Sequence, residues 1–140
     1  MYYFCTNCHQ IYDSSFAQFP LYGKKRLCPK VECGKSVVEI DDLIMPAIAT
    51  FNKKGYITSF CCSGHPYDNC SLPYVQFEQY HNFPKELLPP DWAIDKNNGG
   101  LYAFTFYNKV MDLTERIEYL SKINKDLLEF ARKLDEIQNL

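Results

Sequence analysis

Two short-spaced cysteine pairs, Cys5-Thr6-Asn7-Cys8 and Cys28-Pro29-Lys30-Val31-Glu32-Cys33, constrain this chain more than any other feature. A two-residue spacer lets both sulfurs of one loop reach ~2.3 Å from a single ion, and a four-residue spacer is within the range such loops use. Gly34, directly after the last cysteine, permits the tight backbone turn that closes the second loop. Four thiolates complete a tetrahedral shell and leave no position for water. The expectation is therefore a structural Zn2+ on Cys5, Cys8, Cys28 and Cys33, not a catalytic one. Four unrelated buried cysteines are the bland alternative. The chain has seven cysteines, an odd number, so a disulfide framework is the weaker reading.

The arrangement resembles the zinc-ribbon family over residues 1 to 38, a stretch dense in cysteine, proline, glycine and aromatics with no helical period. Zinc ribbons serve nucleic-acid binders, enzymes and docking modules alike, so the resemblance implies a fold and names no function. His9 beside Cys8 is a spare ligand that four cysteines make unnecessary. Lys24, Lys25, Arg26 and Lys30 around Cys28 form the densest basic cluster, read either as a solvated loop or as a phosphate contact.

With 140 residues, the chain has room for one domain and a small appendage. Hydrophobic residues at 46% and aromatics at 16% exclude a disordered chain. A net charge of -2 argues against coating nucleic acid by bulk electrostatics. No apolar run approaches the ~18 residues of a membrane span, and the N-terminus has no basic region followed by an apolar core. A cytoplasmic protein with no membrane contact is expected.

Asp41 or Asp42 is placed to cap a helix whose Ile44, Ile48 and Phe51 share one face, with Pro46 in its first turn and Lys53, Lys54 and Gly55 at its end. Residues 56 to 60, 74 to 78 and 101 to 107 read as strands; in the second, Val75 and Phe77 lie on one face and Tyr74, Gln76 and Glu78 on the other. The stretch from Phe83 to Gly100 reads as loop or short helix, with Trp92 packed on the core. Asp112 and Glu115 form a capping box before a helix carrying Ile117, Leu120, Leu127 and Leu134. The predicted class is α+β: a zinc ribbon at residues 1 to 38, a small α/β ligand-binding domain at 39 to 110 with a sheet of three or more strands and a packing helix, and a long amphipathic C-terminal helix at 111 to 140. Continued to about residue 138, that helix would span roughly 39 Å and overhang strands of roughly 17 to 23 Å. Its end would then expose Leu127, Phe130, Leu134 and Ile137, which predicts a homodimer with Asn124 and Ala131 at the seam.

The second constellation is Phe60-Cys61-Cys62-Ser63-Gly64-His65, where a strand ends. Four readings compete. A turn with exposed backbone N–H groups, the Ser63 hydroxyl, His65 and a nearby Lys53 or Lys54 can hold an anion. Cys62 with His65 can act as a nucleophile and its base. Cys61, Cys62, His65 and Cys70 can hold a second metal, although adjacent cysteines chelate one ion awkwardly. Plain packing of small residues is the fourth. Tyr74 and Tyr102 can stack a base or fill a sheet face. The expected ligand set is Cys62, Ser63, Gly64, His65, Lys54, Tyr74 and Tyr102, for a small anionic ligand, a nucleotide or a nucleic-acid end.

The run Gly55 to His65, with Met45-Pro46-Ala47-Ile48 before it and Tyr74-Val75-Gln76-Phe77-Glu78 after it, resembles small zinc-ribbon proteins of Gram-positive bacteria and their phages, over residues 1 to 107. That implies a fold plan and carries no established activity; a phage or prophage binding protein, as a regulator or host-defence inhibitor, is the expectation. The turn is also similar to the Cys-Ser-Gly-Arg turn of the wybutosine-synthesis methyltransferase family, with His65 in place of the arginine. No paired carboxylates or Gly-rich phosphate motif accompany it. A binding protein is the leading expectation. The alternatives are an RNA-modifying or thiol-dependent enzyme using Cys62 and His65, and a protein-interaction module using the last helix.

Overall fold

The computed structural model describes residues 2–5, 7–8, 11–13, 19–23, 25–30, 32–35, 37–39, 42–66, 72–104 and 111–137. The N-terminal strands are β1 (Tyr2–Cys5), β2 (Ile11–Asp13), β3 (Leu21–Tyr22), β4 (Lys25–Arg26) and β5 (Val37–Glu39). They make a three-stranded antiparallel sheet in the order β2–β1–β5 and a separate β3–β4 ladder turned at Gly23, whose φ of 62° suits glycine. The apolar cluster here is small: Tyr3, Cys5, Cys28 and Val37 are buried, with Cys8, Tyr12, Phe19 and Cys33 packed against them.

The larger core begins with α1 (Met45–Lys53). Ile48 and Phe51 repeat on one face and are buried with Ile44, and Pro46 sits in the first turn, where its missing N–H costs nothing. The expected cap by Asp41 or Asp42 is corrected: the cap position is Ile44, with no side-chain cap bond, and the Ile44 N–H is donated to Ser63 Oγ at 2.9 Å, while Asp41 lies outside the described residues.

Four antiparallel strands follow in the order β6–β7–β9–β8: β6 (Thr58–Cys62), β7 (Tyr74–Phe77), β8 (Trp92–Ile94) and β9 (Leu101–Ala103). β6 starts two residues later than the sequence suggests and carries Cys61 and Cys62 inside it. β7 keeps the expected alternation, with Val75 and Phe77 buried and Tyr74 exposed. Residues 105 to 107 of the third expected strand lie outside the described residues. The stretch expected as loop or short helix contains a 3-10 turn at Lys85–Leu87 and also β8, which hydrogen-bonds to β9 around the Asp95–Gly100 turn.

α2 (Leu113–Lys133) starts on the predicted capping box, with Asp112 Oδ1 accepting the Glu115 N–H at 2.8 Å. Its buried stripe contributes Leu120, Ile123, Leu127 and Phe130 to the same cluster as α1 and the sheet, each side chain stabilising the fold by about 1.5–3 kcal/mol. The helix stops at Lys133, several residues short of the expected end, because the end of α1 captures it. Lys54 Nζ donates to Arg132 O at 2.5 Å and Leu134 O at 2.6 Å, the Ile137 N–H donates to Lys54 O, and Tyr56 Oη donates to Asp135 O. At 21 residues α2 is roughly 32 Å long.

The exposed patch inferred for a dimer is therefore not present. Leu127, Phe130 and Leu134 are 0%, 1% and 5% exposed, and the seam residues Asn124 and Ala131 are buried in their own chain. The helix assigned to 111–140 as a separate part packs as one core with α1 and the sheet. No helix among the described residues is long and apolar enough to cross a membrane. The class is α+β, with a cysteine cluster at the N-terminus.

Candidate functional site

Four short segments bring the four N-terminal cysteines together. Cys5 ends β1, Cys8 follows one turn later, Cys28 follows β4, and Cys33 closes a turn whose N–H donates to Lys30 O at 2.9 Å. Their sulfurs all lie within 4.8 Å of one another, with Cys5 and Cys33 3.5 Å apart and Cys8 and Cys28 3.6 Å apart. A tetrahedron with metal–sulfur bonds of ~2.3 Å has edges of about 3.8 Å, so the four atoms are already spaced to hold one ion. They are far outside disulfide distance, and all four are free thiols.

Two neighbours that sequence reasoning missed touch the sulfurs. Asn7 Nδ2 donates to Cys33 Sγ at 3.4 Å, and Tyr12 Oη lies 3.1 Å from Cys28 Sγ. Such outer contacts spread the charge of a thiolate and orient it toward a metal. Asn7 could have been suspected from its place between two ligands; nothing local marks Tyr12. The Lys35 backbone N–H and the Asn7 amide lower the Cys33 thiol to about 6. Burial pushes Cys5 up to about 12, a desolvation that a bound cation would offset.

The residues expected to bind a ligand divide into two groups. Ser63 is buried and its hydroxyl accepts the first N–H of α1, while its carbonyl accepts from Asn124 Nδ2 at 3.1 Å. Gly64 is buried at φ 89°, and its N–H points at Cys62 Sγ, 3.3 Å away. Lys54 holds the end of α2. All three are thus engaged in contacts within the fold. Gly64→Val should consequently destabilise the core by about 1–3 kcal/mol, because a branched side chain is strained at positive φ; a urea titration reads the shift directly.

The other group stays on the surface. Pairing across the sheet places Cys62 opposite Tyr74, Tyr74 opposite Tyr102, and Tyr102 opposite Ala93, so these side chains form one row on the face that neither helix covers. Phe60, Tyr74, Tyr102 and Phe104 are all exposed there. A hollow of about 230 Å³ opens beside the tyrosines, edged by Gln76, Asp95 and Asn98. At the other end of the row His65 Nε2 is 3.7 Å from Cys62 Sγ. Cys61, Cys62 and His65 form no metal-binding group among the described residues, and Cys70 lies outside them.

Arg26, from the basic cluster, sits with its guanidinium 5.1 Å from the Tyr3 ring, and Lys30 is exposed; Lys24 lies outside the described residues, as does His9. Compared with protein-family models, with curated proteins and with solved structures, the chain matches none.

Proposed function

We propose that this chain is a zinc-ribbon binding protein whose uncovered sheet face receives the base of a nucleotide or of a nucleic-acid end. Zinc is favoured for the four-sulfur group because a closed tetrahedral thiolate set suits an ion without redox or geometric demands of its own. Its role is to hold residues 2–39 together. Colourless protein carrying about one zinc per chain, and visible absorption bands of a tetrahedral thiolate site after cobalt exchange, are the expected results.

The observation that carries the binding reading is the Tyr74–Tyr102 cross-strand pair on an open face. Neighbouring strands are ~4.8 Å apart, so two flat rings stand side by side at the spacing a base needs to lie across them. Gln76 and Asn98 offer amide groups to a base edge, and the carboxylate of Asp95 beside them disfavours phosphate there. The base end is thus the recognised part and the phosphates face water. Binding of a fluorescent single-stranded oligothymidylate, followed by anisotropy, should weaken by about 1–3 kcal/mol for Tyr74→Ala and again for Tyr102→Ala. Unchanged affinity in the double variant would refute the assignment.

A second reading rests on Cys62. A backbone N–H at 3.3 Å and an imidazole nitrogen at 3.7 Å converge on its sulfur, the surroundings a nucleophilic thiolate needs. On that reading Cys62 should alkylate with iodoacetamide faster than the more exposed Cys61, and His65→Gln should abolish the difference. Equal rates in the unaltered chain would remove it.

A further inference from the structure

On the far side of the sheet edge lies a larger hollow, of about 440 Å³, between β8 and the segment from Tyr80 to Leu88. Ala93, at the end of the tyrosine row, also lines it, but Tyr74 and Tyr102 do not. Its volume is within the range of small-molecule sites, about 300–1,000 Å³. Its origin is local. Phe83 plunges into the core and is 5% exposed, the 3-10 turn at Lys85–Leu87 then lifts the chain away, and β8, as the outer strand, has no further strand beside it.

The floor is rigid and apolar. Trp92 is 3% exposed and its indole N–H donates to Ile123 O at 3.0 Å, so the ring is fixed to α2 before any ligand arrives. Leu88 and Ile94 line the hollow beside it. The rim carries charge of one sign. Lys85 from the 3-10 turn and Lys96 from the β8–β9 turn both line it, and the described lining contains no carboxylate. Neither lysine takes part in an ion pair among the described residues. His81, also in the lining, packs against Tyr56, Phe77 and Phe83, and burial lowers its pKa, so it adds no positive charge at neutral pH.

An apolar floor with two cations at its mouth, unpaired among the described residues, selects for a molecule of matching polarity. We infer that this hollow binds a small apolar carboxylate, its hydrocarbon or aromatic body on Trp92, Leu88 and Ile94 and its carboxylate between Lys85 and Lys96. A phosphate ester or a sugar would place polar groups against the floor without partners, at the cost of their hydration. A neutral apolar compound would leave the lysines with no part in recognition.

Trp92 is the only tryptophan in the chain, so its emission reports on this hollow alone. The metal-loaded full chain is titrated with 4-phenylbutyrate, with decanoate and with the uncharged 4-phenylbutanol. The expected result is a saturable change in Trp92 emission with at least one of the two acids, an affinity about tenfold above that of the alcohol, and loss of that advantage in the Lys85→Gln, Lys96→Gln double variant. The two acids separate an aromatic from an aliphatic body. Both lysines are exposed, so the double variant should fold as the parent does. Acid and alcohol binding equally, the acid's advantage surviving in the double variant, or no change with either acid at millimolar concentration would each overturn the assignment. Oligothymidylate binding at Tyr74 and Tyr102 is a separate measurement, so failure here leaves the sheet-face reading standing.

Discussion

Stripping the metal should unfold residues 2–39 and leave the α1, sheet and α2 core standing. The imbalance between the two clusters is the reason. Among the described residues the N-terminal cluster has four buried members, of which Cys5 and Cys28 belong to the four-sulfur group, whereas the larger core has sixteen. With so few buried apolar side chains described there, the stretch should depend on its ion; structural zinc contributes about 10–16 kcal/mol in zinc-finger peptides. Cys28→Ser should have the same effect as a chelator, because its sulfur lies against both Cys8 and Tyr12. Amide spectra recorded before and after chelation distinguish the halves: signals from residues 2–39 should collapse while those from α1 and α2 keep their dispersion. Acid should act in the same direction. The ligands must lose protons to bind. Metal affinity should therefore fall as pH falls. Retained dispersion in the metal-free chain would show that these strands fold on their own.

What was legible in the sequence is what short-range spacing encodes. The cysteine pairs, the Asp112–Glu115 box, the Ile44–Ile48–Phe51 face and the Val75–Phe77 alternation each depend on residues a few positions apart, and all appear in the fold. The contacts that were not legible involve partners far apart in the chain. Ser63 looked like a ligand contact and serves the N–H of Ile44, 19 positions away; Lys54 looked like a source of charge and holds Leu134 O, 80 positions away. Asn124 looked like a register residue for a dimer and ties α2 to the Ser63 carbonyl, 61 positions away. A polar residue offers no periodicity by which such a partner can be found. β8 escaped for a different reason: three residues between Pro90 and Asp95 are too few to display alternation. The overlong helix followed from reading the apolar stripe past Lys133, when the halt comes from Lys54 and not from any breaker nearby.

Phe51→Ala should be the most damaging single substitution in the larger core. Its ring is 0% exposed and lies with centroids 5.2 Å from Phe77 and 6.3 Å from both Phe83 and Phe130, so it joins α1 to β7, to the segment after it and to α2 at once. Truncating a phenylalanine in such a place removes its transfer energy and leaves a cavity, a cost of about 3–5 kcal/mol. Against a total stability of about 5–15 kcal/mol for a domain of this size, that is enough to bring the chain close to its folding threshold. The urea midpoint should move down by about 2 M. Metal stoichiometry should not change, since Phe51 and the cysteines belong to different clusters. Phe60→Ala is the matched control: the same truncation on the uncovered face, where the ring is 66% exposed, should shift stability by no more than about 0.5 kcal/mol. The pair tests which face of the sheet the helices cover. Comparable losses in both variants would mean that the face carrying Phe60, Tyr74 and Tyr102 is packed against something in the native protein and is not free to take a ligand.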